Sequence, residues 1–178
     1  NAASTVTRTV TVVDTTAPLL TISGDQNVTH EAGLVYIDAN ATWSDHLDGS
    51  GTVTASGSVD NNTPGSYVLS YNYTDSNGNA ASTATRTVTV VDTTAPVLTI
   101  SGDQNITHEA GQVYLDANAT WSDFVDGNGI VVATGNVNTD VPGTYELIYH
   151  YIDSSGNTAS PVTRTVTVMD TTAPQIIL

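Results

Sequence analysis

The feature that most limits what this chain can fold into is an internal repeat that never slips register. Arg8 and Arg86, Asp14 and Asp92, His30 and His108, Trp43 and Trp121, Pro64 and Pro142, and Gly78 and Gly156 all lie 78 residues apart. Laying residues 15–92 on 93–170 gives 25 differences, so 78 − 25 = 53 positions are identical, with no insertion or deletion. A fixed period of this size means one structural unit that completes itself within the period and is used again. Residues 5–14 repeat the end of the unit and 171–178 repeat its start. The expected organisation is therefore 1–14 as the last strand of a preceding repeat, 15–92 and 93–170 as two full repeats, and 171–178 as the start of a following one, within a longer array.

Inside a unit the hydrophobic period is two, which is the strand signature. Tyr67, Leu69, Tyr71 and Tyr73 fall on one face, and Thr83, Thr85, Thr87 and Thr89 lie opposite Ala84, Arg86, Val88 and Val90. Ile37, Ala39, Ala41 and Trp43 alternate with Tyr36, Asp38, Asn40 and Thr42, which makes Ile37 and Trp43 inward residues and Asn40 an outward one. No window has a helical period. The runs are separated by stretches rich in Gly, Pro, Asn and Asp, residues that accept turn dihedrals. Short strands about ten residues apart predict an all-β fold, with each repeat a small antiparallel sandwich of five to seven strands.

A repeat in a string begins at one pole and ends at the other, so its chain crosses the sandwich an odd number of times. Strands at about 18–30, 34–44, 52–60, 66–74 and 83–91 satisfy that parity. It puts Asp45, Asp48 and Asp75 at the upstream pole and Glu31 and Asp92 at the downstream pole.

Charge then narrows the chemistry. Formal net charge is −15 at pH 7, there is no lysine, and the three cations are Arg8, Arg86 and Arg164. Such a chain repels nucleic acid and anionic lipid, and no apolar run approaches the ~20 residues that span a bilayer. Cysteine is absent, which removes disulfides and thiolate metal sites. No triad, phosphate loop or catalytic carboxylate pair stands out, and the chain reads as a non-enzyme.

The carboxylates are the one chemical constellation. Placing one unit on the next brings Glu31 and Asp92 to Asp123, Asp126 and Asp153, and like charges at close range repel unless a cation intervenes. Calcium takes six to eight oxygen ligands in flexible geometry, whereas zinc and copper favour His or Cys. Repetition gives the full candidate metal set as Asp14, Glu31, Asp45, Asp48, Asp75, Asp92, Glu109, Asp123, Asp126, Asp153 and Asp170, with Ca2+ as a structural ion and Asn157 as a further oxygen source. His30-Glu31 and His108-Glu109 are adjacent strand residues that point to opposite faces, which argues against a shared ligand role.

The segments DTTAPVLTISGD, EAGQVYLDANATWSD, PGTYELIYHYIDSSGN and TRTVTVMD together resemble the bacterial immunoglobulin-like repeats of large surface proteins, a family also seen in a pesticidal crystal protein and related to hyalin-type repeats. The resemblance covers both full units and both partial ones. It implies tandem Ig-like sandwiches in a secreted or cell-surface stalk, often of an adhesin. Asp14, Asp92 and Asp170 match its linker, and Asp48, Asp75, Asp126 and Asp153 match its loops. Calcium between cadherin-like domains is an analogy of geometry.

The expected function is an extracellular spacer stiffened by calcium at the junctions, each unit adding on the order of 35–45 Å at ~3.3 Å per strand residue. Its partners are then the neighbouring repeats of the same chain, with other copies of itself or a surface polysaccharide as further candidates. Two rival readings are a filament subunit that lends residues 5–14 as a donor strand, and a carbohydrate- or ice-binding module that uses the flat Thr rows at 83–89 and 163–167.

Overall fold

A computed structural model describes residues 1–176. Residues 177 and 178, the end of the segment 171–178, lie outside the described residues. The chain divides into two compact units, residues 1–30 with 34–91 and residues 31–33 with 92–178.

Among the described residues there is no helix. Repeat 1 contributes β1 (Leu19–Ile22), β2 (Asn27–Glu31), β3 (Ala41–Asp45), β4 (Gly49–Val53), β5 (Gly65–Tyr71) and β6 (Ala84–Val91). Repeat 2 contributes β7 (Val97–Ile100), β8 (Asn105–Glu109), β9 (Ala119–Asp123), β10 (Gly127–Val131), β11 (Gly143–Tyr149) and β12 (Val162–Met169). Each repeat is thus a six-stranded sandwich of two three-stranded sheets, β1-β3-β4 with β2-β6-β5 in the first and β7-β9-β10 with β8-β12-β11 in the second. Most of the pairing is antiparallel, but β8 runs parallel to β12, in register from Thr165 with Asn105 to Met169 with Glu109. Residues 1–18, including the expected strand at 5–14, form no strand.

The expected single strand at 18–30 is two. It breaks at Ser23–Gln26, where Gly24 takes φ +78°, and its halves join opposite sheets. A left-handed residue is cheapest at glycine, which has no Cβ to clash.

The segment 34–44 departs further from simple alternation. Only Ala41–Asp45 is a strand, and Ile37, placed inward by the sequence pattern, is 83 % exposed. Its neighbours Tyr36 and Asp38 are the half-buried ones. The phase inverts at Asn40, whose φ of 63° shifts the pleat so that Ala41, fully buried, and Trp43 also face inward. Asn is among the few residues that tolerate this region, and Asp38 Oδ2 accepts the Asn40 N–H at 2.9 Å. Asn40 is accordingly half-buried rather than outward, and Asn118 repeats its φ.

What holds this course is a buried arginine. Arg86 and Arg164 are among the largest fully buried side chains of the protein. They sit on the inward face of β6 and β12 because β-alternation puts them in step with Val88 and Val90, and with Val166 and Val168. The Arg86 guanidinium donates through Nη1 to Asp38, through Nη2 to the Ser23 carbonyl and through Nε to the Asp25 carbonyl at 2.9 Å. Tyr71 also donates its hydroxyl to Asp38 at 2.9 Å. One side chain therefore ties β6 to the turn where the chain changes sheets and to the segment that precedes β3. Arg164, Asp116, Tyr149, Ser101 and Asp103 repeat the arrangement. The apolar core gathers Ala41, Leu69, Tyr71 and Val88 in the first repeat, and Leu98, Ala119, Leu147, Tyr149, Ala159, Val166 and Val168 in the second.

Burial alone would raise the Asp38 pKa, but hydrogen bonds from Tyr71, the Asn40 amide and Arg86, with the charge of Arg86, hold it below its ordinary 3.8. Burial and the neighbouring Asp38 push Tyr71 up to about 12. A depressed carboxylate stabilises the fold above the unfolded pKa and loses that contribution as pH falls through the folded value. A raised phenol contributes fully below pH 10 and loses it on the way to about 12. Stability should therefore fall below pH 4 and again above pH 10, with a plateau between, as measured by thermal unfolding. Removing one partner leaves a buried charge alone, so Asp38→Ala should cost about 3–5 kcal/mol in denaturant unfolding.

Candidate metal centre

Each repeat collects aspartates from three places in the chain. In the second, Asp92 follows β6, Asp123 ends β9 and Asp153 opens the loop after β11. One carboxylate oxygen of each lies within 4.8 Å of the others. In the first repeat Asp14, Asp45 and Asp75 meet by the same criterion.

The local cause is a division of labour between the two oxygens of each side chain. Asp123 Oδ1 accepts the backbone N–H of Val125 at 2.7 Å and of Asp126 at 3.0 Å, closing its own loop as an Asx turn. Asp92 Oδ1 accepts from the Thr94 N–H at 3.2 Å. Asp126 Oδ1 accepts from the Ser154 N–H at 3.3 Å. The Oδ2 atoms of Asp92, Asp123 and Asp126 are buried and meet no donor, and the same holds for Asp45 and Asp48 in repeat 1. Asp92 as a whole is 9 % exposed. An ionised oxygen taken from water without a partner is costly, and the chain has no lysine to supply one, while Arg86 and Arg164 are committed to the cores.

Asp75 and Asp153 are satisfied by their own loops. Asp153 accepts from the Ser155 and Asn157 amides through Oδ1, at 3.0 and 2.7 Å, and from Asn157 Nδ2 through Oδ2 at 2.9 Å. Burial opposes ionisation of Asp153, but the Asn157 side chain and these backbone amides lower its pKa from the ordinary value. Asp75 behaves identically with Asn79 and Asn77. Asn157, expected as an oxygen source, acts here as a donor that braces the Asp92 carbonyl at 3.2 Å against Asp153.

The geometry does not bring Glu31, Glu109 or Asp170 into these clusters. Glu31 accepts from the Thr93 N–H at 2.9 Å and from the hydroxyls of Thr93 and Thr94 at 2.7 and 2.9 Å. Glu109 does the same with Thr171 and Thr172. These bonds hold both carboxyls below the ordinary 4.5, for Glu31 through the Thr93 amide first and for Glu109 through the Thr171 hydroxyl first. The paired threonines after Asp92 and Asp170 are thus a glutamate clamp, a role the sequence reading missed although the Asp-Thr-Thr triplet repeats. Asp170 accepts from the Thr172 N–H at 3.1 Å and is exposed.

His30 and His108 are not metal-facing. Their Nε2 atoms meet the Leu34 and Gln112 carbonyls at 2.9 and 3.1 Å, and their rings lie edge-on to Tyr36 and Tyr114. Trp43 and Trp121 stack on Tyr73 and Tyr151, with centroids 4.0 and 4.2 Å apart. They also cover Gly51 and Gly129, where an added Cβ would come within 2.7 Å of the indole nitrogen.

Two oxygens bound across one calcium ion at 2.3–2.6 Å stand at most about 4.6–5.2 Å apart, so the separations in these clusters suit a calcium-sized ion. All-oxygen donors suit a hard cation and disfavour zinc or copper. Independently of any ion, the glutamate clamp predicts that Glu109→Ala accelerates hydrogen exchange at the Thr171 amide. In the unsubstituted chain, protection there should hold through pH 4.5 and fail only at lower pH.

The family profile agrees with the architecture. The profile described as "Bacterial surface protein, Ig-like domain" matches residues 20–90 and again 98–168. Hyalin from Strongylocentrotus purpuratus is 32 % identical over 187 aligned positions, which cover 96 % of this chain and 15 % of hyalin, so the chain spans a small part of that relative. Among solved structures, a lipoprotein of Bacteroides thetaiotaomicron superposes with TM-score 0.37 at 18 % identity, over 85 % of this chain and 80 % of that one. The catalytic and CBM domains of ZmpB from Clostridium perfringens superpose with TM-score 0.45 at 13 % identity, over 86 % of this chain and 31 % of that one. Likeness at that level says nothing about function. With both repeats matched over most of its length, the chain belongs to the family of Ig-like domains of bacterial surface proteins.

Proposed function

We propose that this chain is a non-catalytic spacer segment of an extracellular surface protein, in which calcium bound at the aspartate clusters restrains the connection between successive repeats. Membership of a family of surface-protein domains supports the location. The observation that carries the calcium reading is the set of buried, donorless Oδ2 atoms on Asp92, Asp123 and Asp126. Asp123 ends β9, Asp126 lies in the β9–β10 loop and Asp153 in the loop after β11, whereas Asp92 directly follows β6 of the preceding repeat. An ion that binds all of them removes freedom from the residues between β6 and β7.

Neutralising the cluster also answers the chain's charge problem. Three or four carboxylates near one point repel at neutral pH, and a divalent cation turns that repulsion into the source of affinity. Extracellular calcium modules bind with Kd on the order of 10⁻⁴ to 10⁻³ M, so the ion would be held outside a cell and lost within it. A linker that stiffens only outside the cell suits a stalk whose task is reach.

The test is thermal unfolding and small-angle scattering of the chain in chelator and in calcium. Calcium at a hundredfold excess over Kd should add about 2.7 kcal/mol, a rise in Tm on the order of 10 °C for a domain of this size. The spread of maximum dimensions should narrow. Asp123→Asn should abolish the gain in the second repeat, and with Asp45→Asn added the gain should vanish from the whole chain. Identical Tm and scattering in calcium and chelator would sink the proposal.

A further inference from the structure

The two clusters are built from the same aspartates, yet they are not equivalent. Asn77 is one of the 25 positions at which the repeats differ, and its counterpart is Ser155. In the first repeat Asn77 Nδ2 donates to Asp14 Oδ2 at 3.2 Å. In the second, Ser155 makes no such bond and the corresponding oxygen, Asp92 Oδ2, is buried without a donor. The bracing bonds around them are otherwise shared: Asn79 Nδ2 reaches the Asp14 carbonyl at 3.4 Å and Asn157 Nδ2 the Asp92 carbonyl at 3.2 Å. A further difference has the same sense. The Ser154 amide fixes Asp126 on the neighbouring loop, and Asp92 is buried where Asp14 is only half-buried.

We infer that residue 77/155 sets the relative calcium affinity of the two centres, so that the Asp92 centre fills first and the Asp14 centre about tenfold later in concentration. This rests on the calcium reading above and adds a ranking to it. An ion entering the Asp14 centre must displace an amide hydrogen bond from one of its ligand oxygens, and a hydrogen bond to a charged group of this kind is worth roughly a factor of ten in an equilibrium constant. In the Asp92 centre the same oxygen has no bond to give up. A repeat array with Asn at this loop position in some repeats and Ser in others would fill its centres in sequence as calcium rises rather than all at once.

Calorimetric titration of the chelator-treated, full 178-residue chain with calcium chloride tests this. Asp45→Asn leaves the second centre to be read alone, and Asp123→Asn leaves the first. The first should bind about tenfold more weakly than the second. Adding Asn77→Ser to Asp123→Asn should close most of that gap, and adding Ser155→Asn to Asp45→Asn should open an equal loss. Far-ultraviolet circular dichroism of each variant confirms that the sheets persist. Equal affinities in the two single variants would overturn the ranking while leaving the calcium reading intact. Weaker binding after Asn77→Ser would overturn it too, by making the Asn77 amide a ligand through its oxygen. If the unsubstituted chain takes up no calcium, the metal reading falls and the ranking with it.

Discussion

A guanidinium that cannot reach water sets the course of each repeat. Burying Arg86 is tolerable only because its donors meet Asp38 and the carbonyls of Ser23 and Asp25, and because Tyr71 helps to satisfy the same carboxylate. Those acceptors lie at the two places where the chain leaves regular strand geometry, the crossover between sheets and the segment before β3. A domain of this size has a small apolar core and little stability in reserve. An ionic knot of this kind contributes less through net stabilisation than through penalising other registers, because any slip of β6 by one residue would turn the arginine outward and strand Asp38.

With the interior fixed this way, the poles are free to be acidic. Asp45 and Asp123 each close their own loop with Oδ1 and keep a buried Oδ2 without a donor, whereas Asp75 and Asp153 spend both oxygens on theirs. Loop closure by backbone amides fixes the carboxylates of Asp45, Asp75, Asp123 and Asp153 in place. The glutamate clamps on Thr93-Thr94 and Thr171-Thr172 serve a different end. They fix the backbone just after Asp92 and Asp170.

Repetition makes the comparison of the two units unusually informative, since most of their sequence is identical and the same bonds recur. At one place where the bonds differ a substitution accompanies the change, Asn77 against Ser155.

Much of this protein was legible in the sequence, and for physical reasons. A strict period marks two copies of one unit, alternation of two predicts an all-β fold, and parity of crossings puts Asp45 with Asp75, and Glu31 with the residues after β6. Absence of lysine and cysteine excludes whole classes of chemistry. What alternation could not reveal is anything decided by a single residue leaving the pleat. Asn40 in the left-handed region inverted the phase of 36–43, so Ile37 came out and Asp38 went in. Arg86 was correctly placed on the face of Val88 and Val90, yet only three-dimensional closure identified the carboxylate that makes its burial affordable, 48 residues away. The same holds for Glu31, whose partners were decided by where two threonines arrive in space. Local pattern determines which face a residue occupies, whereas which polar groups satisfy one another depends on distances that exist only once the sheets have packed.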